Sequence, residues 1–226
     1  MNQHIIHVYL MPGMAASSKI FEHIKLPENQ FEIHYLEWLI PIENESVEDY
    51  SLRLTNKINH DNIVLIGVSF GGVIVQEMSK HIRVRKLIII SSVKSLHELP
   101  KRMQLAKVTK AYKLLPTQLV SNIDLLAKYA FGSNVAKRLD LYKKYLSVND
   151  SHYLSWAIKQ MICWNQDIPN PELIHIHGDN DAVFPIKNIK NCITIKNGSH
   201  IMIINKYKWF NEHLPSIILG NENHYL

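Results

Sequence analysis

The sequence predicts an α/β fold built on a mostly parallel sheet of about six strands. Three observations carry that prediction. Strand-like apolar runs alternate with helix-like stretches. The chain has only 8 glycines in 226 residues, and six of them (13, 67, 71, 72, 178 and 198) lie in short stretches that each follow such a run. The run Ile63-Val64-Leu65-Ile66 leads directly into Gly67-Val68-Ser69-Phe70-Gly71, a serine between two glycines. In an open α/β sheet the loops after the strands form the crevice where ligands bind, so these glycines mark candidate site loops.

Taken in order, the strand-like runs are 4–11, 31–37, 62–68, 85–91, 172–177 and 192–196. Each is short, apolar and rich in β-branched residues. Helices are expected at Ser17 to Lys25 and at Ser46 to Asn59, the second opened by Ser46 and Asp49 in a capping-box arrangement. Another is expected at Gly72 to His81, where apolar residues 74, 75 and 78 share one face. The last is expected at Lys206 to His213, ended by Leu214-Pro215. From about Ser95 to Trp164 no strand-like run appears. Pro116, Gly132-Ser133 and Asn149-Asp150-Ser151 divide that stretch into about four helices. The expected organisation is therefore a core of residues 1–94 and 165–226 carrying an all-helical cap insertion at 95–164.

Composition narrows the function classes. With 46% hydrophobic and 20% charged residues the chain has an ordinary globular balance, and no apolar run reaches membrane-spanning length. The first segment lacks a basic leader, so it reads as a strand rather than a signal peptide, with Met1 the expected start of the mature chain. Two isolated cysteines, Cys163 and Cys192, imply no disulfide framework, and a cytoplasmic location is expected. The net charge of +5 is concentrated between Lys94 and Lys144, which hold eleven Lys and Arg residues against three acidic ones. This segment reads as lysine-coated helix faces, and no nucleic-acid-binding motif accompanies it. His175 and His177 form an H-x-H pair on one strand, but without a third ligand nearby in the sequence no metal is expected.

A serine on a sharp strand-to-helix turn needs neighbours nearly free of side chain, and Gly67 and Gly71 meet that need. With Pro12-Gly13-Met14 after the first strand, His177-Gly178-Asp179-Asn180-Asp181 after the fifth and Gly198-Ser199-His200 after the sixth, the chain resembles the α/β-hydrolase superfamily over essentially its whole length. The order Ser, Asp, His is that fold's triad order. The resemblance implies Ser69 as nucleophile, His200 as base, Asp181 as its orienting acid with Asp179 as competitor, and an oxyanion hole from the backbone N–H groups of Phe70 and Met14, with Ala15 a substitute for Met14.

Two departures stand out: the chain begins at what resembles the family's third strand, and only a turn of helix fits between Asp181 and His200, at Ile186 to Lys190.

The implied function is a serine hydrolase of small carboxylic esters or thioesters, needing no cofactor, with Phe21, Met103, Trp156, Met161 and Trp164 as candidate pocket linings. The partner expected is a small-molecule substrate, with no nucleic acid and no membrane span. Alternatives are a same-fold lyase, a C–C hydrolase, a peracid-forming enzyme, or a ligand-binding receptor with little turnover.

Overall fold

A computed structural model of the chain describes residues 5–114, 144–146 and 148–220. Six strands form one all-parallel sheet: β1 (Ile6–Met11), β2 (Phe31–Tyr35), β3 (Ile63–Val68), β4 (Lys86–Ile90), β5 (Ile174–Gly178) and β6 (Ile193–Ile195). Their order across the sheet is β2-β1-β3-β4-β5-β6. Parallel sheets require cover on both faces, so central strands read as continuous apolar runs rather than alternating ones. β3 follows this rule, with all six residues buried, whereas the edge strand β2 is buried only at Phe31. Because every strand runs the same way, the loops that follow them gather at one edge.

Among the described residues the helices are α1 (Val47–Thr55), α2 (Phe70–Met78), α3 (Lys101–Thr109), α4 (Ser151–Cys163), α5 (Met202–Asn205) and α6 (Tyr207–Leu219). Ser46 caps α1 as expected: its hydroxyl accepts the Asp49 N–H at 3.0 Å and donates to the Asp49 carboxylate at 2.7 Å. α2 starts at Phe70, two residues earlier than the pattern suggested, because it grows directly out of the turn at Ser69.

Two expectations are corrected. The stretch Ser17 to Lys25 forms only a single 3₁₀ turn, Ser18–Phe21. Its start is drawn into a non-helical contact, with the Ser17 N–H bonded to the Tyr145 carbonyl at 3.0 Å. At the other end of the chain, α6 does not stop at Leu214-Pro215 but runs through to Leu219. Phe210, Leu214, Ile217 and Ile218 are all buried on one helical face, and that burial outweighs the cost of an internal proline. Gly220, at φ 81°, provides the left-handed cap that ends the helix.

Among the described residues of 95–164 there is no strand. The stretch holds a 3₁₀ turn at Leu96–Glu98, α3, a second turn at Ala111–Leu114, and α4. The expected breaks at Pro116 and Gly132-Ser133 lie outside the described residues, as do the residues between them. The third expected break is a helix start, since the Asp150 carboxylate accepts the Tyr153 N–H at 2.8 Å and caps α4. Lys94, read as the first of the solvent-facing lysines, is instead buried. Its ammonium meets the Lys190 and Asn191 carbonyls and stands 3.7 Å from the Glu98 carboxylate.

α4 is anchored to the sheet layer by its last indole. Trp164 donates from Nε1 to the buried Glu77 carboxylate on α2 at 2.7 Å, and Lys80 neutralises the same carboxylate from outside. Cys163 and Cys192 are unpaired, and among the described residues no helix is long and apolar enough to cross a membrane.

Removing the indole N–H leaves a buried carboxylate short of one donor. Trp164→Phe is therefore expected to lower unfolding free energy by about 1–3 kcal/mol, read as a shift in urea midpoint at unchanged m-value. An unchanged midpoint would show that Glu77 is satisfied without Trp164.

Candidate active site

The turn between β3 and α2 presents Ser69 at φ 53° and ψ −122°, a conformation that costs a non-glycine residue about 1–3 kcal/mol. The surroundings hold it there. The Ser69 N–H donates to the Ile90 carbonyl at 2.9 Å, while the Ser69 carbonyl accepts from the Gly72 N–H at 2.9 Å and the Ser92 hydroxyl at 2.7 Å. The turn closes only because its flanks carry no side chain. A Cβ on Gly67 would fall 2.3 Å from the Gly71 carbonyl oxygen, and one on Gly71 would fall 2.3 Å from that of Pro12.

His200 lies beyond β6 in sequence, and Asp181 lies in the loop after β5. The structure brings both to Ser69: His200 Nε2 is 2.9 Å from Ser69 Oγ, and His200 Nδ1 is 2.9 Å from Asp181 Oδ2. With a carboxylate beside Nδ1, that nitrogen carries the proton and donates it to Asp181, leaving Nε2 to accept from the serine hydroxyl. The loops of β5 and β6 are pressed together to make this possible. A Cβ on Gly178 would lie 2.2 Å from the Gly198 carbonyl oxygen, and that same oxygen accepts the Asn180 N–H at 2.9 Å.

Asp181 is buried, whereas Asp179 is exposed. Asp181 also braces its own loop, with Oδ1 accepting the N–H groups of Val183 at 2.8 Å and Phe184 at 2.9 Å. Burial pushes the Asp181 carboxyl up. The charge and hydrogen bond of His200, the Phe184 N–H and the charge of His177 outweigh it and hold the group below the ordinary carboxylate value. His177 stands behind Asp181, its Nε2 donating to the Phe184 carbonyl at 2.8 Å, and burial lowers its pKa despite the nearby carboxylate. Its partner in the H-x-H pair, His175, contacts it at 3.1 Å, so the pair props up the acid loop.

The loop after β1 borders the serine from the other side, with an added Cβ on Gly13 falling 3.4 Å from Ser69 Cβ. Trp38 donates from its indole to the Gly13 carbonyl at 3.0 Å and stacks on Phe70 with ring centroids 5.5 Å apart. The Ala15 N–H is directed at the Tyr153 hydroxyl on α4 at 3.3 Å. Met14 and Phe70 thus lie on the two loops that meet at Ser69.

This architecture occurs widely among solved structures. An esterase from Exiguobacterium antarcticum superposes with a TM-score of 0.68 at 18% identity, over 97% of this chain and 93% of that one. A hydrolase from Oleispira antarctica gives a TM-score of 0.70 at 14% identity, over 96% and 92% of the two chains. A bromoperoxidase from Bacillus anthracis gives 0.68 at 18% identity, over 97% and 93%. The fold is that of the α/β-hydrolases. No protein-family model matches the sequence, and no curated protein matches it.

Of the candidate linings, Trp156 and Trp164 are committed to packing. Trp156 donates to the Glu45 carbonyl at 2.8 Å and packs on Tyr50 with centroids 4.4 Å apart, and Trp164 is bound to Glu77. Phe21 is wholly buried, and Met103 and Met161 are nearly so. Their apolar and aromatic character alone does not separate a core face from a pocket face.

The depressed Asp181 pKa has a signed consequence. Stability from this group is fully present above the unfolded carboxyl value of about 3.9 and is lost as pH falls through the lower folded value. Urea midpoints measured down into the acid range are expected to fall more steeply in wild type than in Asp181→Asn. Parallel curves would remove Asp181 from the acid transition.

Proposed function

We propose that this protein is a serine hydrolase that cleaves a small carboxylic ester or thioester through an acyl-enzyme intermediate. The observation that carries the reading is the relay Ser69 Oγ to His200 Nε2 and His200 Nδ1 to Asp181, 2.9 Å at each step, with the serine held at a strained elbow. A serine hydroxyl is a weak nucleophile until a base takes its proton as it attacks. In this scheme His200 accepts that proton at Nε2, and Asp181 stabilises the imidazolium from Nδ1. Ser69 Oγ bonds to the acyl carbon, and His200 returns the proton to the leaving alcohol or thiol. A water, deprotonated by the same nitrogen, then releases the acid.

The developing oxyanion takes hydrogen bonds from the N–H groups of Phe70 and Met14. Phe70 opens α2, so the positive end of that helix adds to the effect. Met14 is preferred to Ala15 because the Ala15 N–H is already directed at Tyr153. Residues 95–164 are assigned as the cap over these loops, with 1–94 and 165–226 as the core. The likeness to a protein named bromoperoxidase motivates a second reading, in which hydrogen peroxide replaces water and the product is a peracid. The unpaired cysteines fit a cytoplasmic setting.

Ser69→Ala is expected to fold normally and to lose about 10⁶ in kcat, together with all labelling by a fluorophosphonate. Labelling that persisted elsewhere in the variant would overturn the assignment. Asp181→Asn is expected to cost about 10⁴ in kcat, while Asp179→Asn stays near wild type, and the reverse ranking would move the acid to Asp179. A series of p-nitrophenyl esters and thioesters of rising acyl length should favour short chains, and a preference for long chains would overturn the small-substrate reading. Running the same series with peroxide separates hydrolysis from peracid formation.

A further inference from the structure

Sequence spacing gives no hint that His7, His34 and His60 meet, since they come from three separate segments. Parallel pairing sets His7 opposite Glu32 and Tyr9 opposite His34. Alternation along the strands then puts these four side chains on one face of the β1–β2 pair. His60, three residues before β3, folds against them, its ring 3.8 Å from that of His7 and 4.6 Å from that of His34. His7 and His60 stand at the N-terminal ends of β1 and β3, whereas Ser69 follows the C-terminal end of β3.

One nitrogen from each imidazole lies within 4.8 Å of the other two. His7 Nδ1 and His34 Nε2 are 3.0 Å apart, and the Glu32 carboxylate stands 3.5 Å from the first and 3.7 Å from the second. A tetrahedral zinc ion with Zn–N bonds near 2.0–2.1 Å spaces its ligand atoms about 3.4 Å apart, so His7 and His34 need adjustments of tenths of an ångström, while the exposed Glu32 side chain must swing toward the three imidazoles to complete the set. His60 is exposed, its ring stacks on His7 at an interplanar angle of 5°, and its Nδ1 is bonded to the Tyr9 hydroxyl at 2.6 Å, so binding requires the ring to pivot about that bond and bring Nε2 toward the ion. Such a hydrogen bond from the far nitrogen is what orients metal-bound imidazoles and fixes their tautomer.

Three imidazoles in contact repel one another if protonated. Burial first, and then the proximity of His60, lowers the pKa of His7, and burial lowers that of His34. The 3.0 Å contact between His7 Nδ1 and His34 Nε2 is a hydrogen bond in which at least one of the two nitrogens already lends a lone pair. Neutral imidazoles with one carboxylate form a donor set suited to a borderline divalent ion such as Zn²⁺.

We propose that His7, His34, His60 and Glu32 bind one zinc ion, which pins the edge strand β2 and the entry to β3 onto β1. The site is remote from Ser69 and acts on stability, independently of hydrolysis. β2 is an edge strand that pairs only with β1, so a cross-strand ion adds a second tie between them.

The test uses the untagged full-length chain, stripped with EDTA, desalted and titrated calorimetrically with Zn²⁺. One equivalent per chain is expected, with a rise in melting temperature and no change in ester turnover. His60→Gln, at an exposed position, is expected to weaken binding by ~10-fold or more, and His34→Gln likewise. His97→Gln, an exposed histidine elsewhere, should bind as wild type. Co²⁺ substitution should give the intense visible bands of a four-coordinate site in wild type, and these should be lost in His60→Gln. Substoichiometric binding, or wild-type affinity in His60→Gln, would overturn the proposal. If His34→Gln fails to fold, the His60→Gln titration decides alone.

Discussion

The strained turn at Ser69 is the constraint on which the remaining geometry depends. A positive φ at a serine persists only where the surroundings over-determine it, and here they do so from three directions. The neighbouring strand supplies Ile90 and Ser92 to both backbone polar groups of Ser69, Gly72 returns a bond to its carbonyl, and the backbone of β1 runs so close that Gly71 has no room for a side chain. Strain at this point is thus balanced by the pairing of β1, β3 and β4, three inner strands of the sheet. The hydroxyl is exposed to the site because the sheet beneath it cannot relax.

From that fixed point the partners follow by topology. Parallel strands deliver the β5 and β6 loops to the same edge as the elbow, and the near contact of Gly178 with Gly198 sets how far apart Asp181 and His200 stand. Asp181 then serves the loop and the imidazole at once, with one oxygen on the backbone of its own turn and the other on His200. An acid with both oxygens occupied in this way has little freedom to turn away from the base.

How much of this was legible in the sequence varies with the kind of signal. The six strands and their loops announced themselves, because a parallel sheet buried on both faces needs unbroken apolar runs and the loops needed scarce glycine. The meeting of Ser69, Asp181 and His200 was legible through their settings in those loops. Helix ends were less so: Pro215 is a stop signal locally, but the buried stripe from Phe210 to Ile218 is a tertiary effect that a local rule does not contain. The roles of Trp156 and Trp164 were hidden for a similar reason, since their partners Glu45 and Glu77 lie far away in the chain. The histidine cluster was invisible because register and chain reversal create it, and neither is written in any short stretch.

The bond between Tyr153 and the Ala15 N–H joins α4 to the loop after β1, and it does not stand alone. The Ala15 carbonyl accepts from Val148, and the Tyr145 carbonyl accepts from Ser17, so the segment leading into α4 is stitched to the same loop. Lifting α4 off the sheet would therefore tear at the loop that holds Met14, and in the hydrolase proposed above access and catalysis would be lost in one motion. A chain wired this way has little scope to admit a bulkier substrate by swinging this helix outward. Changes in what it accepts would have to come from trading side chains while the backbone frame stays in place.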